Sequence, residues 1–177
     1  WFDGEGFPEW KYAKRHLVPF SEFVPFKKSW PWLYVQLRKL IPPGMPQLEP
    51  GGRIEPIRLT GEEGATWRLA TAICYEGTFA RVCRTLIAPQ GRKEADILLN
   101  LSNDGWFVWR WGDGPSRLST EHSQHLVHYC FRAIENRVPV VRAVNTGISA
   151  SIDSWGRIEA SLKLDGAPWT VVPGTLL

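Results

Sequence analysis

The chain has 177 residues, 44% of them hydrophobic, enough for one substantial core and a single domain, or part of one, rather than two. A formal charge of +3, with neither a long Lys/Arg run nor an aromatic-basic RNA-binding signature, excludes nucleic acid as the main partner. Cys74, Cys83 and Cys130 are an odd set without Cys-x-x-Cys spacing, so neither a disulfide framework nor a thiolate zinc site is supported and at least one thiol is expected free.

Residues 1–22 are rich in Gly, Pro and aromatics and read as loop passing into a short strand over residues 16–18. Pro31, at a first helical position, predicts a helix with Leu33, Leu37 and Leu40 on one stripe. The proline-rich segment 42–52 reads as an exposed connector. Two β-favouring runs, 54–59 and 66–73, flank Gly61-Glu-Glu-Gly64 and predict a hairpin. Over 78–88, Phe79, Val82, Cys83, Leu86 and Ile87 fall at helical spacing, which assigns Cys83 to the core. Residues 96–102 read as a buried strand ending at the turn Asn103-Asp-Gly105. After a loop rich in Trp and Gly, a helix over 119–137 carries Leu126, Cys130, Ala133 and Ile134 on one face. Strands at 138–144 and 148–152, the turn Asp153-Ser-Trp-Gly156 and a last strand at 157–162 complete the order, which predicts α/β layers with helices packed on a mixed sheet.

The most informative stretch is Ala70-Thr-Ala-Ile-Cys74-Tyr75-Glu76-Gly77, which carries a cysteine out of a strand into the first turn of a helix. Unpaired N–H groups and the helix dipole favour an anion there, which suits a nucleophilic thiolate, and the N–H of Tyr75 would face a developing oxyanion. Cys83 and Cys130 read as buried small hydrophobes. Some sixty residues upstream, Lys14 sits between Tyr12 and the apolar Leu17-Val-Pro-Phe20, a setting that packs part of the segment inside. A buried ammonium needs a carboxylate partner, and Glu22 and Glu76 are the carboxylates of these two motifs; spacing leaves open which of them it meets. His122, His125 and His128 recur every three residues, but three-residue steps precess around a helix and no His-Glu-x-x-His occurs, so helix-surface or interface histidines are expected rather than a metal site. The loop from Trp106 to Pro115 is read either as an aromatic-packed surface loop or as a mobile apolar lid; with Trp30, Trp32, Lys27 and Lys28 it suits a membrane interface.

Four ordered blocks, Tyr12-x-Lys14-x-His16-Leu-Val-Pro-Phe-x-Glu22-Phe, Cys74-Tyr75-Glu76, Ser102-Asn-Asp-Gly-Trp106-Phe and Arg132-Ala-x-Glu135-x-Arg137 with Arg142-Ala-x-Asn145-Thr-Gly-x-Ser-Ala, resemble the bacterial apolipoprotein N-acyltransferases, which carry a nitrilase-superfamily domain on a membrane-embedded helical base. The resemblance covers nearly the whole chain and implies an α/β fold, the nitrilase-like αββα sandwich of the carbon–nitrogen hydrolases. It is expected here to be incomplete at both ends, with residues 1–177 as the partial domain and the membrane base outside it. The chain starts at Trp1 rather than Met, has no leader pattern and has no apolar run near the ~18 residues of a membrane span.

The family's Glu-Lys-Cys triad maps onto Lys14 and Cys74, while its general-base glutamate lies upstream of Trp1. Glu22, Tyr75, Glu76 and Trp106 match further active-site positions. Ser21 and Val108 stand where the family commonly has Gly. The implied reaction moves an acyl chain from a phospholipid, through a Cys74 thioester, to the α-amino group of a lipoprotein's diacylglyceryl-cysteine, without a cofactor, at the periplasmic side of the bacterial inner membrane. The isolated chain, without the glutamate, is expected to be inactive. A soluble nitrilase-type amidase and a non-catalytic remnant are the alternative readings.

Overall fold

The computed structural model describes residues 11–42, 44, 47–52, 55–61, 63–109, 117–162, 170 and 171. An N-terminal arm leads to helix α1 (Pro31–Leu40), and the hairpin β1 (Ile57–Thr60) and β2 (Thr66–Ile73) follows. β2 runs into a 3-10 turn (Cys74–Thr78), helix α2 (Ala80–Ile87) and β3 (Ile97–Ser102). A second 3-10 turn (Gly105–Phe107) precedes β4 (Val108–Trp109), which pairs with β5 (Arg117–Leu118). Helix α3 (Glu121–Asn136) leads to β6 (Val140–Val144), β7 (Thr146–Gly147), β8 (Ala150–Ile152) and β9 (Ile158–Ser161); β10 (Thr170–Val171) pairs with β7.

The main sheet has the order β1-β2-β3-β6-β8-β9. Its centre, β2-β3-β6, is parallel, because α2 and α3 provide the crossovers, and its flanks are antiparallel. The register aligns Ala70, Leu98, Val140 and Ile152 across four strands, all buried on the face that α2 and α3 cover. One step along lies the row Ala72, Asn100, Arg142 and Ala150, equally buried but polar at its middle. The opposite face leaves Leu101 and Val141 exposed, so among the described residues the helices form a layer on one side only. The parallel strands β2 and β3 both end at one edge of the sheet, where α/β folds place their sites.

Several expected elements differ. No strand forms over residues 16–18: the chain bends at Arg15–His16 and makes only an isolated bridge between Pro19 and Phe23. The N–H groups a sheet would have used go to carboxylates, those of Arg15 and His16 to Glu76 and that of Val18 to Glu22. The helix expected over 78–88 begins at Ala80 and buries Cys83, Leu86 and Ile87 as expected. The expected inner face of the long helix is rotated. His122, His125, Leu126, Tyr129, Arg132 and Ala133 are buried in α3, whereas Cys130 is half-buried and Ile134 exposed. His122 and His125 are therefore not surface histidines. The hairpin strand β1 starts at Ile57; residues 53 and 54 lie outside the described set.

Candidate active site

Cys74 is the first residue after β2 and has φ +49°, in the left-handed region that a residue with a Cβ enters at a cost of about 1–2 kcal/mol. The following residues coil into a 3-10 turn rather than the α-helix expected, so the chain reverses within one residue and holds the cysteine at the tip of an elbow. Cys74 and Tyr75 line a predominantly apolar cavity of about 480 Å³. Val18, Ser21 and Glu22 of the arm, Leu48 of the connector, Thr78, Trp106 and Phe107 of the two 3-10 turns, and Glu121 and His125 of α3 complete its wall.

The Lys14 side chain is 9% exposed, and its Nζ donates to Glu22 Oε1 at 2.7 Å. The arm's second carboxylate oxygen accepts the N–H of Val18 at 2.7 Å, which fixes the Lys14–Glu22 pair to its own backbone turn. The connector holds the pair from behind through Leu48 N–H to Glu22 O and Gly51 N–H to Lys14 O, both 2.9 Å. Glu22, not Glu76, is thus the partner of Lys14.

Glu76, expected at the active site, does not line the cavity. It is fully buried beneath the elbow, and its carboxylate accepts hydrogen bonds from the Tyr12 hydroxyl (3.0 and 2.9 Å) and from the N–H groups of Arg15 (2.8 Å), His16 (3.0 Å) and Ile73 (2.7 Å). This one side chain ties the arm that carries Lys14 to the strand that carries Cys74. Burial, followed by the Glu76 charge, pushes the Tyr12 phenol far above its ordinary pKa, so it remains a donor. Tyr75 packs edge-on to Phe79 at 4.9 Å between centroids, and Phe79 meets the His16 ring at 4.2 Å, tilted by 52°. Trp106 is 76% exposed at the cavity mouth. The loop it opens continues through residues 110–115, which lie outside the described set.

Beneath the elbow lies a buried polar network. His125 Nε2 is 3.2 Å from the carbonyl oxygen of Cys74, and the Tyr129 hydroxyl donates to the same oxygen at 3.1 Å. His125 Nδ1 meets the Asp104 carboxylate at 3.0 and 3.1 Å. Asp104 also accepts from Ser102 Oγ and the Arg142 guanidinium, and Arg142 donates to Asn100 and to Ile148 O. Burial alone would raise the pKa of Asp104; the hydrogen bond from His125 and the charge of Arg142 hold it below the ordinary carboxylate value. Burial lowers the pKa of Arg142, while the same carboxylate opposes that fall. Arg132 supplies donors to the carbonyls of Gly77 and Thr78 at 3.5 and 3.4 Å. These contacts account for the rotated face of α3: the elbow's free carbonyls need donors, so the helix presents polar side chains inward.

Spacing did not single out Asp104, Asn100, Tyr129 or Arg142. The available signal was the pair of polar residues, Asn100 and Arg142, inside two mostly apolar strands. Cys83 is buried beside the elbow, its Sγ 3.7 Å from Glu76 O, and burial pushes its thiol up to about 12. Among the described residues no cluster of His, Cys, Asp and Glu could hold a metal ion, and no helix is long and apolar enough to cross a membrane.

A profile of carbon–nitrogen hydrolases matches residues 1–167. The apolipoprotein N-acyltransferase of Geobacter metallireducens is 38% identical over 151 residues, covering 85% of this chain and 25% of that protein. Its counterpart in Rhodopseudomonas palustris is 36% identical over 171 residues, covering 92% of this chain and 28% of that protein. The chain therefore spans about a quarter of the length of these curated relatives. Among solved structures, the Caenorhabditis elegans NitFhit protein superposes with a TM-score of 0.52 at 20% identity, over 86% of this chain and 31% of that one. At that identity the likeness supports the fold alone.

Proposed function

This chain belongs to the carbon–nitrogen hydrolase family, and on that premise we propose that it supplies the nucleophile side of an acyl-transfer site in a lipoprotein N-acyltransferase. One observation carries the reading: a cysteine held in the left-handed region at the end of a parallel strand opens onto an apolar cavity whose wall includes the carboxylate paired with Lys14.

In this reading the Cys74 thiolate attacks the ester carbonyl of a phospholipid acyl chain. The carbonyl π electrons move onto oxygen, where the Tyr75 N–H and the Lys14 ammonium stabilise the negative charge. Collapse breaks the ester C–O bond, the lysophospholipid oxygen takes a proton, and the acyl group remains as a thioester. The α-amino group of a diacylglyceryl-cysteine then attacks the thioester, loses a proton and expels the Cys74 thiolate. Glu22 holds Lys14 in place through its 2.7 Å contact. The general base is the glutamate that the resemblance assigns upstream of Trp1, so the activity belongs to the full-length protein.

Access from a bilayer is supported by the arm. None of the residues of α1 is buried; Trp30 and Trp32 are exposed, with Lys27, Lys28, Arg38 and Lys39 nearby. Aromatic rings beside cationic side chains favour a membrane interface, at the periplasmic face in this reading. A lipid donor also suits the apolar cavity better than a small polar amide does.

The test uses full-length protein and phospholipid carrying a labelled acyl chain. The label is expected on Cys74, released by hydroxylamine, lost in Cys74→Ala and retained in Cys83→Ala. An unlabelled wild-type protein would overturn the reading.

A further inference from the structure

The buried network beneath the elbow has a geometry that the acyl-transfer reading does not use. The carbonyl of Cys74 and the N–H of Tyr75 belong to one planar peptide, and no peptide bond described is cis, so the two groups point in opposite directions. Two donors from α3, His125 Nε2 at 3.2 Å and the Tyr129 hydroxyl at 3.1 Å, converge on the carbonyl oxygen. A carbonyl can only accept, so Nε2 carries a proton. Cys74, Tyr75 and His125 all line the cavity; with the carbonyl held on the α3 side, the Tyr75 N–H points away from His125 Nε2 and the Tyr129 hydroxyl. As an early N–H of the 3-10 turn, it has no acceptor within that turn.

We propose that His125, held by Asp104, is a positioning residue that sets the oxyanion-binding N–H of Tyr75 by clamping the Cys74–Tyr75 peptide from behind, with Tyr129 as its second jaw. This inference rests on Cys74 being the nucleophile. Asp104 and Arg142 together fix the ring: Nδ1 lies within 3.1 Å of both Asp104 oxygens and 3.2 Å from the Arg142 guanidinium, and Asp104 is itself locked by Ser102 and Arg142. Donation into the carbonyl also polarises the peptide, which makes its N–H a stronger donor at the opposite end. The two hydrogen bonds to the Cys74 carbonyl help to offset the cost of holding a residue with a Cβ at φ +49°.

The clamp acts on the oxyanion and not on the thiolate, which gives it a signature. Two reactions are compared in full-length protein: alkylation of Cys74 by iodoacetamide, which forms no oxyanion, and acylation of Cys74 by a p-nitrophenyl fatty ester, read as the burst of p-nitrophenol. His125→Leu removes the donor, and Tyr129→Phe removes one hydroxyl with little change of shape. His125→Leu is expected to slow acylation about 100-fold at saturating ester while alkylation slows less than about 3-fold. Tyr129→Phe should slow acylation roughly 5- to 10-fold with alkylation unchanged, on the scale of one neutral hydrogen bond. His125→Gln, whose amide can reach the same carbonyl, is expected to restore a substantial part of the loss.

Parallel losses of alkylation and acylation in both variants would overturn the clamp in favour of a merely structural role, as would wild-type acylation in Tyr129→Phe and His125→Leu. If the wild-type protein shows the ester burst but takes no label from phospholipid, the lipid-donor reading falls and the clamp is still judged by its variants. If the wild type shows neither, Cys74 is not the nucleophile and both fall.

Discussion

Position 77 has room for a hydrogen atom and nothing larger. A Cβ there would overlap the ring of Tyr129, which must approach that closely for its hydroxyl to reach the Cys74 carbonyl. Glycine is required here for space, since its φ is not positive, in contrast to Gly147 and Gly156. Gly77→Ala is expected to destabilise the fold by about 1–3 kcal/mol, read from urea unfolding, and the loss should shrink in the Gly77→Ala/Tyr129→Ala double variant. At this scale the site was half legible. Cys74, Lys14 and Glu22 stand out because a thiol at a strand end and a lysine in an apolar segment are chemically costly placements, which sequence alone reveals. Asp104 and His125 do not, because each has an ordinary local reading, as a turn residue and as a helix-surface histidine. Their role exists only through contacts between residues 21 apart in the chain.

At the level of elements, Glu76 joins the arm to β2. Removing its carboxylate takes the shared acceptor from the N–H groups of Arg15, His16 and Ile73 and breaks the Tyr12–Glu76 contact, all of them part-buried, at about 0.5–1.5 kcal/mol for each hydrogen bond lost. Glu76→Ala is therefore expected to free the arm before the sheet unfolds: limited proteolysis should cut within residues 11–24 much faster than in the wild type, with Glu76→Gln between them. The same carboxylate, with Glu22 taking the N–H of Val18, explains why no strand forms at residues 16–18. The pattern of side chains there is β-like, but a buried acceptor 60 residues away captures the backbone donors. Helix α3 teaches a related lesson. Its periodicity correctly gives a helix, yet apolar residues mark the wrong stripe, because the elbow it covers presents carbonyls that take their donors from α3 and not a hydrocarbon surface. By contrast β2, β3 and α2 pack on apolar neighbours, and for these the hydrophobic pattern was a sufficient guide.

Over the whole molecule, the charges sealed in the core link stability to pH. Asp104 titrates below the ordinary carboxylate range in the folded state, so its contribution is fully present above about pH 4 and is lost as pH falls through that lower folded value. Plots of unfolding free energy against pH should steepen on that acid limb in the wild type. Asp104→Asn should be less stable at pH 7, since Arg142 then lacks its anionic partner, and its acid limb should be flatter. The α/β class and the order of strands and helices were legible because hydrophobic periodicity reports burial. The polar row of Asn100 and Arg142 across the sheet was not, since a buried arginine is recognised only when its partners are assembled.

The two sets of pins on the elbow also impose a timetable. Glu76 reaches back 61 residues to Arg15, whereas Cys74 waits for His125 and Tyr129, which lie 51 and 55 residues further on. Closing such loops costs entropy before either contact repays it. On a ribosome the arm can dock as soon as β2 emerges, but the reversed geometry of Cys74 has to await the synthesis of α3. Throughout that interval the Cys74–Tyr75 peptide lacks its two donors, so the orientation of the Tyr75 N–H is a product of late folding rather than of translation.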